Sequence, residues 1–349
     1  MSTSVTLSQC PPIQADLGQQ FNKAGFIEPL PYLEYLNSPL NTAPIKTTIS
    51  PGRSKLRQVE VTWNQRRLES DAVVGADIKN CTASQVYGDN TQTYELSTTD
   101  TVQVDELIDS ETLATHCQDN AQFLFEHMAL MLDQLDRKVA TLAATQTASQ
   151  IGTWGTEVPS FYTVVDDALQ VATKLTGGDI APFTLQIIQQ AALMAGYPAG
   201  FVGFGGAAMN SYAMQVMAGC CAQYGIDLSA VLAQYGFSFS YDQRLANALG
   251  GQNENVIMVP GAVQLLNYNL ASWNESAGEI TNIGAGYSRR IVFTRAGLPV
   301  DLNMKDDCGN LSLVATFTGK IITMPDDIFN SADKYAGVKY LNQVSIVNP

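Results

Sequence analysis

The residues best placed by type and spacing to do chemistry are Gly203-Phe-Gly205-Gly206-Ala-Ala208, a G-x-G-x-x-A turn ahead of a helix-like run, with Asp227 downstream. Such a turn can bring backbone N–H groups and a helix N-terminus to a pyrophosphate, with the acid on a ribose. That chemistry would be a dinucleotide-dependent oxidoreductase using Gly203–Ala208. The preceding stretch, Met194-Ala-Gly-Tyr-Pro-Ala-Gly200, reads poorly as a core strand because it holds a proline and two glycines. No strand–helix–strand run is legible after it. A tight backbone turn accounts for the same residues.

The other candidates are weaker. His116 and His127 share a helix face but stand ~16 Å apart, too far to ligate one metal ion. The order around the second is Glu126-His127, and HExxH is absent. Neither histidine is paired in sequence with a serine or cysteine motif, so a triad has no support. Asp306-Asp307-Cys308-Gly309-Asn310 is accounted for by turn chemistry. Cys220 and Cys221 are adjacent on a helix, so their side chains diverge. With Cys10, Cys81, Cys117 and Cys308 they make six cysteines without C-x-x-C spacing, which suggests reduced, buried thiols. No catalytic, cofactor-binding or metal-ligating residue is assigned, and no cofactor is expected.

The element that organises the chain is the run Ser110–Gln146, which holds neither Pro nor Gly. Leu113, Cys117, Ala121, Leu124, Met128, Leu132, Leu135, Val139 and Leu142 recur at steps of three and four, one apolar stripe on a helix. Asp109 or Ser110 can cap it, and Glu111 falls in the first turn, where the helix dipole favours an acid. At ~1.5 Å per residue the rod is roughly 55 Å long. Phe123, Phe125, Leu130 and Met131 widen the stripe beyond a coiled-coil seam, which predicts packing on a sheet.

Two stretches of opposite charge precede this helix. Lys46, Arg53, Lys55, Arg57, Arg66, Arg67 and Lys79 are seven of the nineteen basic residues. Within them Leu56–Trp63 alternates with period two, predicting a long β-hairpin over 51–80 with its tip near Asn64, Gln65, Arg66 and Arg67. From Gln85 to Asp136 there are eleven acids and no Lys or Arg. An isolated hairpin is marginal in water. A basic one on an acidic chain is expected to rest on another copy's acidic surface, with charge setting register. Arg53, Lys55, Arg57, Asn64, Gln65, Arg66 and Arg67 on one side, and Asp105, Glu106, Asp109 and Glu111 on the other, are the inter-subunit contact candidates.

The rest of the chain reads as α+β. Residues 1–42, proline-rich and loaded with apolar groups such as Phe21, Phe26, Leu30 and Tyr32, read as an extended arm laid across another surface. Tyr94–Thr98 and Thr101–Leu107 read as strands. Phe161–Thr176, Pro182–Met194, Ala207–Tyr224 and Gly261–Ser272 read as helices, and Ala199–Gly206 as a loop or short strand. Phe237–Asp242, Asn255–Pro260, Ser288–Thr294, Leu298–Met304 and Leu311–Met324 read as strands, and Val347–Pro349 as a tail.

Composition narrows the function. The chain has 349 residues, 46% hydrophobic and only 15% charged, with a net charge of −14. Charge is low against a typical ~25%, as for a chain that shares its surface with neighbours. The acidity disfavours a phosphate-reading surface. Ile180–Ile226 carries no charge, but Gln186, Gln189, Gln190, Pro198, Asn210 and several glycines interrupt it, so a membrane span is not expected. The N-terminus lacks the pattern of a secretory signal, so synthesis in a cytoplasm is expected.

The order of arm, basic hairpin, acidic strands, very long helix, uncharged unit and returning strands resembles the major capsid protein of tailed double-stranded DNA bacteriophages. So do the phrases Val59-Glu-Val-Thr-Trp-Asn-Gln-Arg-Arg67, Val256–Tyr268, Gly297–Asn310 and Phe317–Phe329. The resemblance implies an N-terminal arm (1–42), an E-loop region (43–81) and a peripheral domain (82–153) with its spine helix at 110–146. It further implies an axial domain (154–255), the peripheral return strands (256–329) and a C-terminal segment (330–349). It implies a structural, non-enzymatic protein whose copies form the pentamers and hexamers of an icosahedral shell around double-stranded DNA. Portal, scaffolding and decoration proteins are the implied partners, with DNA held non-specifically. The implied location is the virion capsid, assembled in a host bacterial cytoplasm. A same-fold nanocompartment shell around an enzyme cargo is the alternative.

Overall fold

The computed structural model describes residues 28–41, 45–49, 57–63, 90–109, 120–154, 162–172, 184–197, 200–221, 237–267, 287–307, 310–324 and 337–344. Among them the helices are α1 (Pro31–Leu36), α2 (Asn120–Ala148), α3 (Thr184–Met194), α4 (Ala207–Cys221) and α5 (Gln243–Leu249). The strands are β1 (Ile45–Ile49), β2 (Arg57–Trp63), β3 (Asn90–Leu96), β4 (Thr101–Ile108), β5 (Val164–Val165), β6 (Ala168–Ala172) and β7 (Phe201–Gly205). They continue with β8 (Phe237–Tyr241), β9 (Glu254–Met258), β10 (Val263–Asn267), β11 (Tyr287–Phe293), β12 (Pro299–Asp307), β13 (Asn310–Thr323) and β14 (Val338–Val344). The fold is α+β, as expected.

Helix α2 lies on a five-stranded antiparallel sheet. β13 is central, with β12 then β11 reached through its first half, β4 paired across Leu311–Thr318, and β10 paired with its last five residues. Leu124, Phe125, Met128, Met131, Leu132, Leu135 and Val139 of α2 close on Val102 and Ile108 of β4, Val292, Val300, Leu302 and Met304, and Leu313, Ala315 and Phe317 of β13. Each fully buried Val, Leu, Phe or Met among them contributes roughly 1.5–3 kcal/mol. From Leu124 to Val139 the stripe predicted from sequence is the buried stripe, while Leu142 is partly buried and Leu130 is 60% exposed. The predicted helix start at Ser110–Asp119 lies outside the described residues. Gln146 and Gln150 fasten the far end of α2 to β13. The Gln146 carboxamide accepts from Ile321 N–H (2.8 Å) and that of Gln150 donates to the Ile321 carbonyl (3.2 Å). Gly319 marks where β13 leaves β4 for β10. A Cβ there would stand 2.4 Å from the Phe317 ring and 2.7 Å from the Leu266 carbonyl.

A second, mixed sheet has the order β5-β6-β14-β9-β7-β8, with β14 parallel to β6 and β7 parallel to β8. Its core joins α3, α4 and α5 with Leu169, Ile188, Phe201, Phe204, Met209, Tyr212, Leu245 and Val256, and reaches Ala143 and Ala144 of α2. One long helix therefore runs through both cores.

Four expectations are corrected. Val164-Val165 and Ala168–Ala172 form a hairpin, not a helix over Phe161–Thr176, and Asp166 and Asp167 turn it at φ 48° and 63°. Positive φ at both central positions is what a two-residue hairpin loop requires, and aspartate tolerates it. Val263–Asn267 is a strand within the stretch read as helical, captured by the last residues of β13. β2 is the middle of a three-stranded sheet, flanked by β1 and β3 in place of the hairpin partner predicted for it, and Ser70–Gly75 lies outside the described residues. Residues 28–41, read as part of an extended arm, instead form α1 and pack into their own chain. Residues 1–27 and the predicted tip at Asn64–Arg67 lie outside the described residues. So does the tail Val347–Pro349.

Candidate functional site

The glycine turn joins β7 to α4, and β8 returns parallel to β7, so a strand–helix–strand unit is present where sequence periodicity showed none. Its chemistry is closed off from within. Gly206 N–H donates to the Glu254 carbonyl (3.1 Å) and to Asn255 Oδ1 (3.0 Å). Ala207 N–H donates to Gln252 Oε1 (3.1 Å), and Ala208 N–H to the Gln252 carbonyl (3.2 Å). These are the donors a pyrophosphate would need. The chain's own Gln252–Asn255 segment has taken them. A Cβ on Gly206 would lie 1.9 Å from the Gln252 carbonyl oxygen, so the glycine serves contact between two backbones.

His127 Nδ1 pairs with Glu106 of β4, across the contact between helix and sheet. His116 lies outside the described residues. No group of three or more potential metal-ligating side chains occurs among the described residues.

Among the contact candidates, Asp105 and Asp109 are exposed on and just after β4, while Glu106 is engaged by His127. Arg57 opens β2 in the three-stranded sheet. Arg53, Lys55, Asn64, Gln65, Arg66, Arg67 and Glu111 lie outside the described residues.

The polar site that sequence reading missed is the junction of α1, α2, α5 and the β11–β12 turn. α1 stands between the cores, with Tyr32 and Leu36 in the second and Leu30 and Leu33 in the first. The buried Tyr32 hydroxyl meets Thr147 Oγ1 of α2 (2.6 Å), and Tyr32 and Tyr35 pack on Phe204. Asp242 caps α5 by accepting from Leu245 N–H (2.9 Å) and also accepts from Tyr32 N–H (3.2 Å). Buried Asn41 donates to the Val263 carbonyl (2.8 Å) and accepts from Gly261 N–H (2.9 Å). Arg244 pairs with Glu28 (2.7 Å), which holds that carboxyl below its ordinary range against partial desolvation. Asp136 of α2 is fully buried and accepts from Ala296 N–H of the turn (3.0 Å). Burial pushes its carboxyl up to about 6, although hydrogen bonds from Thr294 and Ala296 and the Arg295 charge pull the other way. The one visible signal was an acid, Asp136, inside a helical apolar stripe.

No protein-family model matches the chain, and no curated protein matches it. Among solved structures it is similar to the cyanophage A-1(L) capsid asymmetric unit, at 12% identity over 92% of this chain and 94% of that one, with a TM-score of 0.48. It is similar to the capsid of cyanophage P-SCSP1u at 8% identity, over 86% of each chain, with a TM-score of 0.42. A virus-like particle from Pyrococcus furiosus matches at 8% identity over 96% of this chain and 98% of that one, with a TM-score of 0.39. These likenesses extend along nearly the whole chain, at identities of 8–12%.

Proposed function

We propose that the chain is a structural shell subunit, the major capsid protein of a tailed double-stranded DNA bacteriophage. The observation that carries this reading is the setting of α2. It packs on β4, just before it in sequence, and on the sheet of β11–β13, some 140 residues after it, with five of the six strands of the second sheet, β5–β9, between them in sequence and the sixth, β14, after them. That is the layout the sequence resemblance implies for a spine helix, a peripheral domain and an inserted axial domain.

On this reading the function is binding geometry. Copies form pentamers and hexamers that close an icosahedral shell around DNA in the virion, assembled in the host cytoplasm with portal, scaffolding and decoration partners. The basic residues Arg53, Lys55, Arg57, Arg66 and Arg67, with Asn64 and Gln65, engage Asp105, Glu106, Asp109 and Glu111 of a neighbour. No catalytic step is needed, and the glycine turn offers no free donors for a nucleotide. Among the described residues no helix is long and apolar enough to cross a membrane.

Electron microscopy of the purified full chain tests the reading, with closed shells expected; a chain that stays monomeric under all assembly conditions would overturn it. Changing Arg66 and Arg67 together to Glu is expected to weaken assembly while leaving the circular dichroism of the subunit unchanged. Unaltered assembly would remove those two residues from the contact.

A further inference from the structure

The first sheet ends in two edges of opposite charge. β4, β13, β12 and β11 are joined by three successive antiparallel pairings. Among the described residues β4 pairs only with β13, and β11 only with β12, so the outer edge of each carries no strand. These edges are eight and seven residues long, and neither strand holds a proline to blunt it. A strand edge of that kind is a template for one more strand.

Charge selects which strand that is. β4 holds Asp105 and Glu106, with Asp109 directly after it, and no Lys or Arg. β11 holds Arg289 and Arg290 and no acid. Asp105, Asp109 and Arg290 are exposed, while Glu106 is engaged by His127. Two copies meeting β4 to β4 would set acid against acid, and β11 to β11 would set arginine against arginine, both unfavourable across a strand pair. β11 against β4 matches opposite charges. Strand direction agrees with this choice. Three antiparallel pairings leave β4 and β11 running in opposite directions, so a second copy displaced without being turned over presents β11 antiparallel to β4. The faces agree as well. Val102 and Ile108 of β4 and Val292 of β11 belong to the core under α2. Their neighbours Leu107 and Phe293 therefore lie on the other face, 63% and 49% exposed. A sheet continued through such a seam keeps every α2 on one face and both exposed apolar side chains on the other.

We propose that β11 of one copy adds to the outer edge of β4 of the next, extending the first sheet from subunit to subunit. Each copy then gives one edge and accepts the other, a head-to-tail contact that closes a ring when the rotation between copies allows it. The inference deepens the shell reading and rests on it, by naming a strand pairing as a contact between copies. Backbone groups make that pairing, so it does not exclude a neighbour's basic hairpin from the acidic side chains of the same strand.

The test is hydrogen exchange of the full chain by mass spectrometry, as the unassembled subunit and as the assembled particle. Peptides covering 101–108 and 287–293 are both expected to gain about tenfold protection or more on assembly, because new strand hydrogen bonds shield backbone amides. Particles in which 101–108 alone is protected, the result of a hairpin contact without strand pairing, overturn the edge contact and leave the shell reading standing. Particles in which neither is protected do the same. A chain that forms no assembly rejects both. Reversing Arg289 and Arg290 together to Glu is expected to lower the assembled fraction about tenfold with circular dichroism unchanged, and Asp105→Lys to act in the same direction. Combining the three reversals in one chain is expected to recover part of the loss, since swapped charges again face each other across the seam. Assembly that no reversal alters, or a combined variant no better than either, rejects the pairing. If the variants do not fold, exchange in the native chain decides alone.

Discussion

The two halves that share helix α2 are built on different rules. In the first, an antiparallel sheet is covered by a single helix. Alternation is legible there: Leu313, Ala315 and Phe317 are buried, while Val314 and Thr316 between them are only partly so. In the second, a mixed sheet with parallel pairs is built from short strands, and burial is nearly continuous, as in Val256–Val259 and Phe204–Gly206. Antiparallel sheets keep one wetter face, whereas strands buried on both faces lose the period of two. The difference teaches where side chains hold the protein together and where backbone contact does. Both halves rest on interlocking apolar groups, and the second adds close backbone contact at Gly205 and Gly206.

Substitutions can break or sharpen that contrast. The largest effect is expected from Leu135→Ala, because the side chain is fully buried under the first sheet. A loss of about 2–5 kcal/mol in urea unfolding is expected, and a loss under 1 kcal/mol would show that the helix–sheet contact is not tightly packed. Gly206→Ala comes next. Its Cβ would meet the Gln252 carbonyl at 1.9 Å, so a loss of about 1–3 kcal/mol is expected from adding a single methyl. A neutral result would mean that Gln252–Asn255 yields easily. Asp242→Ala removes both the α5 cap and the tether to Tyr32, for about 1–2 kcal/mol. The smallest effect is expected from Leu130→Ala, within about 0.5 kcal/mol, since that residue is 60% exposed. If it instead reduces assembly without changing unfolding, Leu130 belongs to a contact between subunits.

Two buried aspartates carry the same comparison into the junction. Asp242 receives a hydrogen bond on each oxygen, from Leu245 and Tyr32. Asp136 accepts from Ala296 N–H on Oδ2, and its Oδ1 is without a partner among the described residues. One is a finished cap; the other is a buried acid with one oxygen left open.

Much of the first half was legible in the sequence. The α2 stripe, β4, β11, β12 and β13 follow from periodicities of 3.6 and 2 that the fold preserves. The second half was read less well. The Val164–Ala172 hairpin was hidden in a short apolar run, where only Asp166-Asp167 marked a turn. In the first half, β10 was the miss, taken for helix because five apolar and polar residues fit either period. α5 is too short to announce itself, although Asp242 is a standard N-cap, and β14 passed unnoticed in the C-terminal segment. The glycine turn was rightly read as a backbone device, but the strand–helix–strand around it was not seen.

By itself the sequence determined the long amphipathic helix, the alternating strands that cover it, the low charge and the separation of basic from acidic stretches. These are local properties, fixed by which side chains recur at which spacing. Only the tertiary structure decided that residues 28–41 fold back as a wedge between two cores and that Gln252–Asn255 occupies the helix end at Gly206. It alone placed Asp136 under the turn at Ala296. Those outcomes depend on partners 45 to 260 residues apart, such as Asn37 with Ala296, and no local period encodes such a meeting.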